Sequence, residues 1–321
     1  MKENYFEKAS QYGIVPVIKL DSPDQALPLA QALIEGGLPV AEITFRTAAA
    51  EESIRRVYGQ YPEMLLGAGT VLTVDQVKHA LNAGAGFIVC PGFNDAVVAY
   101  CVEHDIPVLP GCSSPSDIER ALAYGLKVVK FFPAEASGGL KAIKSIAAPY
   151  TEVKFIPTGG INEKNLLDYL SFDKILACGG SWMVPDNLIK EERFGEITRL
   201  TANAVKLSLG LHLLHIGVNL DQDTDAAVTA RKFAAIFGIE PRETKSFFML
   251  DGAVEVMKYS GRGLKGHIGI GTRSIKRART YFERQGFAFD GDSLVIDAAG
   301  QPHVIYFTEE IAGFALHLNQ I

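Results

Sequence analysis

Eight short apolar runs, separated by segments long enough for a helix, dominate the first two thirds of the 321-residue sequence. They cover residues 14–20, 41–46, 65–71, 87–92, 107–111, 128–133, 155–160 and 174–181. Runs that are apolar on both faces suit a parallel sheet covered by helices. The segments 23–35, 74–83, 96–103 and 162–170 carry helical patterns. Three of the helix starts are marked: Ser22-Pro23, Thr73 with Gln76 three residues on, and Asn94-Asp95. Eight strand–helix units in succession predict an α/β protein with a closed (β/α)8 TIM barrel, the doubly wound open sheet being the alternative.

One run carries a charged residue where its pattern calls for an apolar one. Lys130 stands in the middle of Val128-Val129-Lys130-Phe131-Phe132-Pro133. An unpaired ammonium in an apolar wall is costly. Such a lysine can pair with a buried carboxylate, lose its proton and become a nucleophile toward carbonyls, or sit at a strand edge and reach water.

The other residues at the expected C-terminal strand ends bear on that choice, because functional side chains of a barrel gather there. The second run supplies Glu42, Thr44 and Arg46, which strand alternation puts on one face. The third ends in Gly67-Ala68-Gly69-Thr70, the fourth in Pro91-Gly92, and the sixth puts Phe132 on the Lys130 face. The seventh and eighth end in Thr158-Gly159-Gly160 and Gly179-Gly180-Ser181. Glycines there either turn the chain tightly or expose backbone N–H groups to a phosphate. Glu42 complements Lys130 as a proton shuttle for a Schiff-base lysine, or as a plain ion-pair partner. Arg46 offers a planar fork to a carboxylate, or lies on the rim.

Composition narrows the classes. The sequence is 48% hydrophobic and 21% charged, as soluble globular proteins are. A net charge of −6 leaves no basic excess for nucleic acid. The first thirteen residues hold no long apolar run, so neither a secretory signal nor a membrane span is expected. Cys90, Cys101, Cys112 and Cys178 form no CxxC pair and read as small buried hydrophobes in a reducing cytoplasm.

These stretches together resemble the 2-keto-3-deoxy-6-phosphogluconate / 4-hydroxy-2-oxoglutarate aldolase family. The resemblance rests on Glu42-Ile43-Thr44-Phe45-Arg46-Thr47, Gly67-Ala68-Gly69-Thr70-Val71, Pro91-Gly92, Lys130 to Glu135, Pro157 to Ile161 and Gly179 to Trp182. It runs from about Tyr12 to Pro185 and implies a class I aldolase. Lys130 would form the Schiff base and Glu42 would be the general acid/base. Arg46 and Thr70 would bind the pyruvyl carboxylate and its surroundings. Pro91 and Phe132 would be pocket wall, Thr158 would bind substrate, and Gly159, Gly160, Gly180 and Ser181 would hold the phosphate. It also implies a metal-independent step, a small 2-keto acid phosphate as substrate, and a homotrimer. The reaction implied is retro-aldol cleavage of 2-keto-3-deoxy-6-phosphogluconate to pyruvate and glyceraldehyde 3-phosphate, with 4-hydroxy-2-oxoglutarate cleavage in parallel. The galactonate stereoisomer and a catalytically silent scaffold are the alternatives. A phosphate-binding epimerase or decarboxylase would need paired aspartates or a Lys-Asp-Lys array, which the strand ends lack.

The pattern changes after a last helix at about 191–207, so a barrel domain is expected over 1–208 and a second domain over 211–321. His215-Ile216-Gly217-Val218 returns 52 residues later as His267-Ile268-Gly269-Ile270. Each copy leads into a helix ending in Phe-Gly or Gly-Phe, 226–237 and 275–285, and then into strand-like segments, 246–258 and 304–319. The tail therefore reads as two βαβββ units forming a smaller α+β domain. It resembles the vicinal-oxygen-chelate (glyoxalase-like) superfamily. That resemblance marks His215, Glu255, His267 and His317 as metal ligands whose mixed nitrogen and oxygen donors would suit Zn, Ni, Fe or Mn. A cavity without metal, or one for an organic ligand, is the alternative.

Overall fold

A computed structural model describes residues 5–321, so the first four residues of the expected barrel domain lie outside it. The chain forms two compact units, Met1–Ser208 and Leu209–Ile321.

The first unit is a barrel of eight parallel strands. They are β1 (Ile14–Ile18), β2 (Val40–Thr44), β3 (Leu65–Gly69), β4 (Phe87–Val89), β5 (Val108–Leu109), β6 (Val128–Phe131), β7 (Lys154–Pro157) and β8 (Cys178–Gly180). Six pair continuously in the order β5-β4-β3-β2-β1-β8, and β6 pairs with β7. Short bridges join Gly111 to Lys130 and Thr158 to Gly179, which closes the ring. A closed ring has no open edge, so the alternative of an open doubly wound sheet is excluded.

Helices α1 (Tyr5–Tyr12), α2 (Ala26–Glu35), α3 (Ala50–Gln60), α4 (Val74–Asn82), α5 (Asp95–Glu103), α6 (Pro115–Ala123), α7 (Gly139–Ala147), α8 (Leu166–Leu170), α9 (Asp186–Lys190) and α10 (Phe194–Leu209) belong to this unit. The start signals act as caps: Thr73 accepts from the Gln76 N–H and Asn94 from the Val97 N–H. Tyr5 and Phe6 of α1 both pack on Phe87. The Phe87 ring in turn fills the space that Gly67 leaves on β3, where a Cβ would collide with it.

Several boundaries differ from the sequence reading, for local reasons. The helix expected over 162–170 is only Leu166–Leu170. Asn162 and Asn165 divert the preceding backbone into side-chain turns: Asn165 Oδ1 accepts from the Asn162 N–H, and Asn162 Oδ1 from the Lys164 N–H. The helix expected at 191–207 runs from Phe194 to Leu209, with α9 set apart before it. Glu192 lies between them at φ +55, which no α-helix tolerates. The strands stop short of the apolar runs because the runs continue into the loops.

The second unit holds one eight-stranded sheet. Its elements are β9 (His212–Val218), α11 (Ala226–Phe237), β10 (Arg242–Glu243), β11 (Phe247–Leu250), β12 (Val254–Met257), β13 (Gly266–Thr272), α12 (Ile275–Glu283), β14 (Phe289–Ile296), β15 (Pro302–Ile311) and β16 (Phe314–Gln320). The order β10-β11-β12-β9-β13-β16-β15-β14 sets the two copies side by side. Each copy closes its last hairpin on two residues of positive φ, Asp251-Gly252 and Ala312-Gly313, as two-residue hairpin turns require. Copy one covers its sheet with α11, where Ala230 and Ala234 pack on Leu250 and Val256.

All four cysteines are buried thiols outside any disulfide, and burial pushes those of Cys90, Cys101 and Cys112 up to about 12. They are uncharged near neutral pH and so poor nucleophiles. Iodoacetamide should leave these three unmodified in the native protein and alkylate them after denaturation. Native labelling at the rate of a free thiol would contradict the buried placement, and peptide mass mapping reads the difference.

Candidate functional sites

Lys130 on β6 and Glu42 on β2 meet inside the barrel. Lys130 Nζ is 3.1 Å from Glu42 Oε1, and the two residues are 5% and 3% exposed. The edge placement of Lys130 is therefore excluded. The two residues stand 88 positions apart in the sequence, and closure of the ring brings β2 and β6 together. Phe132 and Cys90 lie beside them. Lys130 Nζ lies 5.4 Å from the centre of the Phe132 ring. The buried Cys90 thiol also senses both charges, with Glu42 raising its pKa and Lys130 lowering it.

Gly69 makes room for the carboxylate. A Cβ there would collide with Glu42 Oε1 and stand 2.7 Å from its Cγ. Gly67 and Gly69 share one face of β3, opposite Glu42 and Thr44 in register. Two absent side chains on β3 therefore admit the Phe87 ring and the Glu42 carboxylate.

The rim residues divide into two groups. Arg46 lies past the end of β2, exposed, and its Nε donates to Thr70 Oγ1 at 3.4 Å. It does not continue the strand face of Glu42 and Thr44, because β2 stops at Thr44. Thr44 is instead spent within the barrel, its hydroxyl donating to the Ile18 carbonyl at 2.8 Å. Thr70 adopts φ +55, a turn conformation rather than a strand one. Pro91 and Phe132 are half-buried at the ends of β4 and β6.

The second group is the pair of glycine-rich ends. The Thr158–Gly179 bridge makes β7 and β8 neighbours, so Gly159-Gly160 and Gly180-Ser181 follow adjacent strand ends. Gly159 and Gly160 have φ +99 and +84, a path that L side chains rarely follow. The Asn162 and Asn165 side-chain amides both donate to the Gly160 carbonyl at 3.1 Å.

A second cluster forms in the tail, from His215, His267, His317 and Glu255, all at least nine-tenths buried. The ligand atoms of the three histidines lie within 4.8 Å of one another. His215 Nε2 and His317 Nε2 are 3.2 Å apart, and His267 Nε2 is 3.3 Å from Glu255 Oε2. The repeat builds this cluster. In the antiparallel β9–β13 pair, His267 faces Gly217 and His215 faces Gly269. A Cβ on either glycine would run into the opposing imidazole. Each copy's glycine thus seats the other copy's histidine. Glu255 then neighbours Gly217 on β12, and His317 neighbours Gly269 on β16, at equivalent places in the two copies. The Tyr306 ring stacks on His317 at 4.6 Å between centres. Burial first, then His215 and His267, hold the His317 imidazole down at about 3, and burial lowers His215 too. Both are uncharged near neutral pH, the form in which imidazole binds a metal.

The family model for KDPG and KHG aldolases matches residues 6–200. That is more than half of the chain.

The chain belongs to the KDPG and KHG aldolase family.

It is 48% identical over 202 residues to the 2-dehydro-3-deoxy-phosphogluconate aldolase of Treponema pallidum, covering 63% of this chain and 96% of that one. Among solved structures, it is similar to the KDPG aldolase of Legionella pneumophila with pyruvate captured as a covalent carbinolamine. The TM-score there is 0.61 and the identity 37%, over 63% of this chain and 98% of that one. The Zymomonas mobilis enzyme with 3-phosphoglycerate aligns at a TM-score of 0.60 and 36% identity, over 64% of this chain and 97% of that one.

Within this family barrel, three residues that bear on the site escape a reading of charges and runs: Gly69, Glu135 and Tyr169. Gly69 has a signal in sequence, since glycines two apart on a strand leave space on one face. Glu135 ends the resembling stretch Lys130 to Glu135 but carries no role there, and Tyr169 has no signal, because their contact joins the β6–α7 loop to helix α8. Gly69→Ala should drive the Glu42 carboxylate away from Lys130. The overpacking should cost about 1–3 kcal/mol, read by thermal denaturation. A crystal structure of the variant with the 3.1 Å contact intact would refute the assigned fit.

Proposed function

We propose that this protein is a class I aldolase that cleaves 2-keto-3-deoxy-6-phosphogluconate to pyruvate and glyceraldehyde 3-phosphate, and 4-hydroxy-2-oxoglutarate to pyruvate and glyoxylate in parallel. The observation that carries it is the buried Lys130–Glu42 contact at 3.1 Å in a barrel of this family.

The chemistry follows from the two groups. The neutral amine of Lys130 adds to the C2 ketone and gives a carbinolamine, which loses water to an iminium. The iminium nitrogen is the electron sink. Glu42 takes the proton of the C4 hydroxyl, the C3–C4 bond breaks, and its electrons form an enamine while the aldehyde leaves. Glu42 returns a proton to C3, and water releases pyruvate from Lys130. A positioned acid/base of this kind contributes about 10²–10⁴-fold. Arg46 and Thr70, linked at the rim, bind the pyruvyl carboxylate and its surroundings. Pro91 and Phe132 wall the pocket. Thr158 binds substrate, and Gly159, Gly160, Gly180 and Ser181, at the adjacent ends of β7 and β8, take the phosphate. The four buried thiols, none in a disulfide, fit a reducing compartment, and we assign the protein to the cytoplasm. We further assign a homotrimer, which light scattering of the purified protein tests.

For residues 211–321 we propose a glyoxalase-like domain with a divalent metal, Zn, Ni, Fe or Mn, held by His215, Glu255, His267 and His317. The fit has two supports. Ligands about 2.0–2.1 Å from a tetrahedral ion stand about 3.3 Å apart, and the contacts in the cluster are 3.2 and 3.3 Å. His317 Nδ1 is also buried without a hydrogen-bond partner, so one nitrogen of the cluster is left unsatisfied by the protein. When bound, such an ion supplies Lewis-acid character to a coordinated oxygen.

Borohydride reduction with pyruvate should add a pyruvyl group to Lys130, located by peptide mass mapping. Lys130→Met should fold and lose all turnover. Wild-type-like turnover in that variant would overturn the assignment, and an unmodified Lys130 would favour a non-catalytic barrel. A substrate panel separates the gluconate from the galactonate isomer. For the tail, protein purified without chelators should carry about one divalent ion per chain. Metal-free protein that also refuses added Zn and Ni would remove the metal reading.

A further inference from the structure

The loop between β6 and α7 follows directly on Lys130 and lies against the Gly159–Gly160 turn. The Ala134 N–H donates to the Thr158 carbonyl at 2.7 Å, and the Glu135 N–H to the Gly159 carbonyl at 3.0 Å. The Glu135 side chain then crosses Gly160, where a Cβ would stand 2.5 Å from Glu135 Cγ. Its carboxylate accepts a hydrogen bond from the Tyr169 hydroxyl of α8. It also sits at the start of α7, where a Cβ on Gly139 would be 3.0 Å from Glu135 Oε1.

These contacts have two consequences. Gly160 is clamped on both sides, by Glu135 on one and by Asn162 and Asn165 at its carbonyl on the other. And the Glu135 carboxylate stands beside Gly139 in the first turn of α7, where the partial positive charge of a helix start favours an anion. Tyr169 is 1% exposed, and burial followed by the Glu135 contact pushes its phenol pKa up, so it stays a donor.

We propose that Glu135 and Tyr169 are positioning residues for the phosphate end of the substrate, acting through the Gly159–Gly160 turn. The proposal rests on the reading of that turn as part of the phosphate cradle. Neither residue touches the reacting carbons.

The test compares a phosphorylated substrate with a reaction that needs no phosphate. In full-length protein, Tyr169→Phe and Glu135→Ala should raise KM for 2-keto-3-deoxy-6-phosphogluconate about tenfold, the weight of one hydrogen bond to a charged group, with kcat little changed. Inhibition by inorganic phosphate should weaken in parallel. Exchange of the pyruvate methyl protons with solvent, followed by NMR in D2O, uses Lys130 without a phosphate and should keep its wild-type rate. Glu135→Gln retains an acceptor for Tyr169 and should recover most of the lost affinity. Equal losses in both reactions would mean a general structural role and overturn the proposal, as would an unchanged KM. Glu135 is exposed, so its variants carry the test even where Tyr169→Phe does not fold. Failure of wild-type protein to exchange pyruvate protons would instead defeat the aldolase reading itself.

Discussion

Lys130 and Glu42 are buried together, and the rest of the barrel is arranged around that contact. Removing two ionisable groups from water costs several kcal/mol unless each satisfies the other. The pairing therefore depends on the ring closing in register, since the two residues come from strands on different arcs of the barrel. The space for it comes from what neighbouring strands leave out. Gly69 gives up a side chain to the carboxylate, and Gly67 gives one up to Phe87, which seals the core below. Cys90, its thiol pushed up by burial, adds an uncharged side chain beside the pair.

Much of this was legible in the sequence, and the limits have physical causes. Eight apolar runs gave eight strands because buried parallel strands need both faces apolar. Their ends were not legible, because apolar character continues into barrel loops. Asn162, Asn165 and Glu192 broke helices through side-chain turns and a positive φ that periodicity does not register. β10 is two exposed residues and β14 shifts register against β15 between Asp290 and Val295, so neither presents an alternating pattern. Lys130 stood out because charge in an apolar run is locally anomalous. Glu135 fell within the resembling stretch without a role of its own, and Tyr169 did not stand out, since nothing around it departs from an ordinary helix.

The tail shows how a repeat can be more than two similar folds. His215 and His267 come together only because each rests on a glycine of the other copy. The equivalent places beside those glycines hold Glu255 in one copy and His317 in the other, so the duplication is symmetric in backbone and asymmetric in donor chemistry. The carboxylate takes His267 as its partner, which leaves His215 and His317 facing each other.

That mutual seating couples the two halves in packing. A bulky replacement at Gly217 is felt in the other repeat, at His267, and one at Gly269 is felt at His215. A single half would lack both the imidazole it seats and the floor beneath its own, so the cluster exists only where the two halves meet.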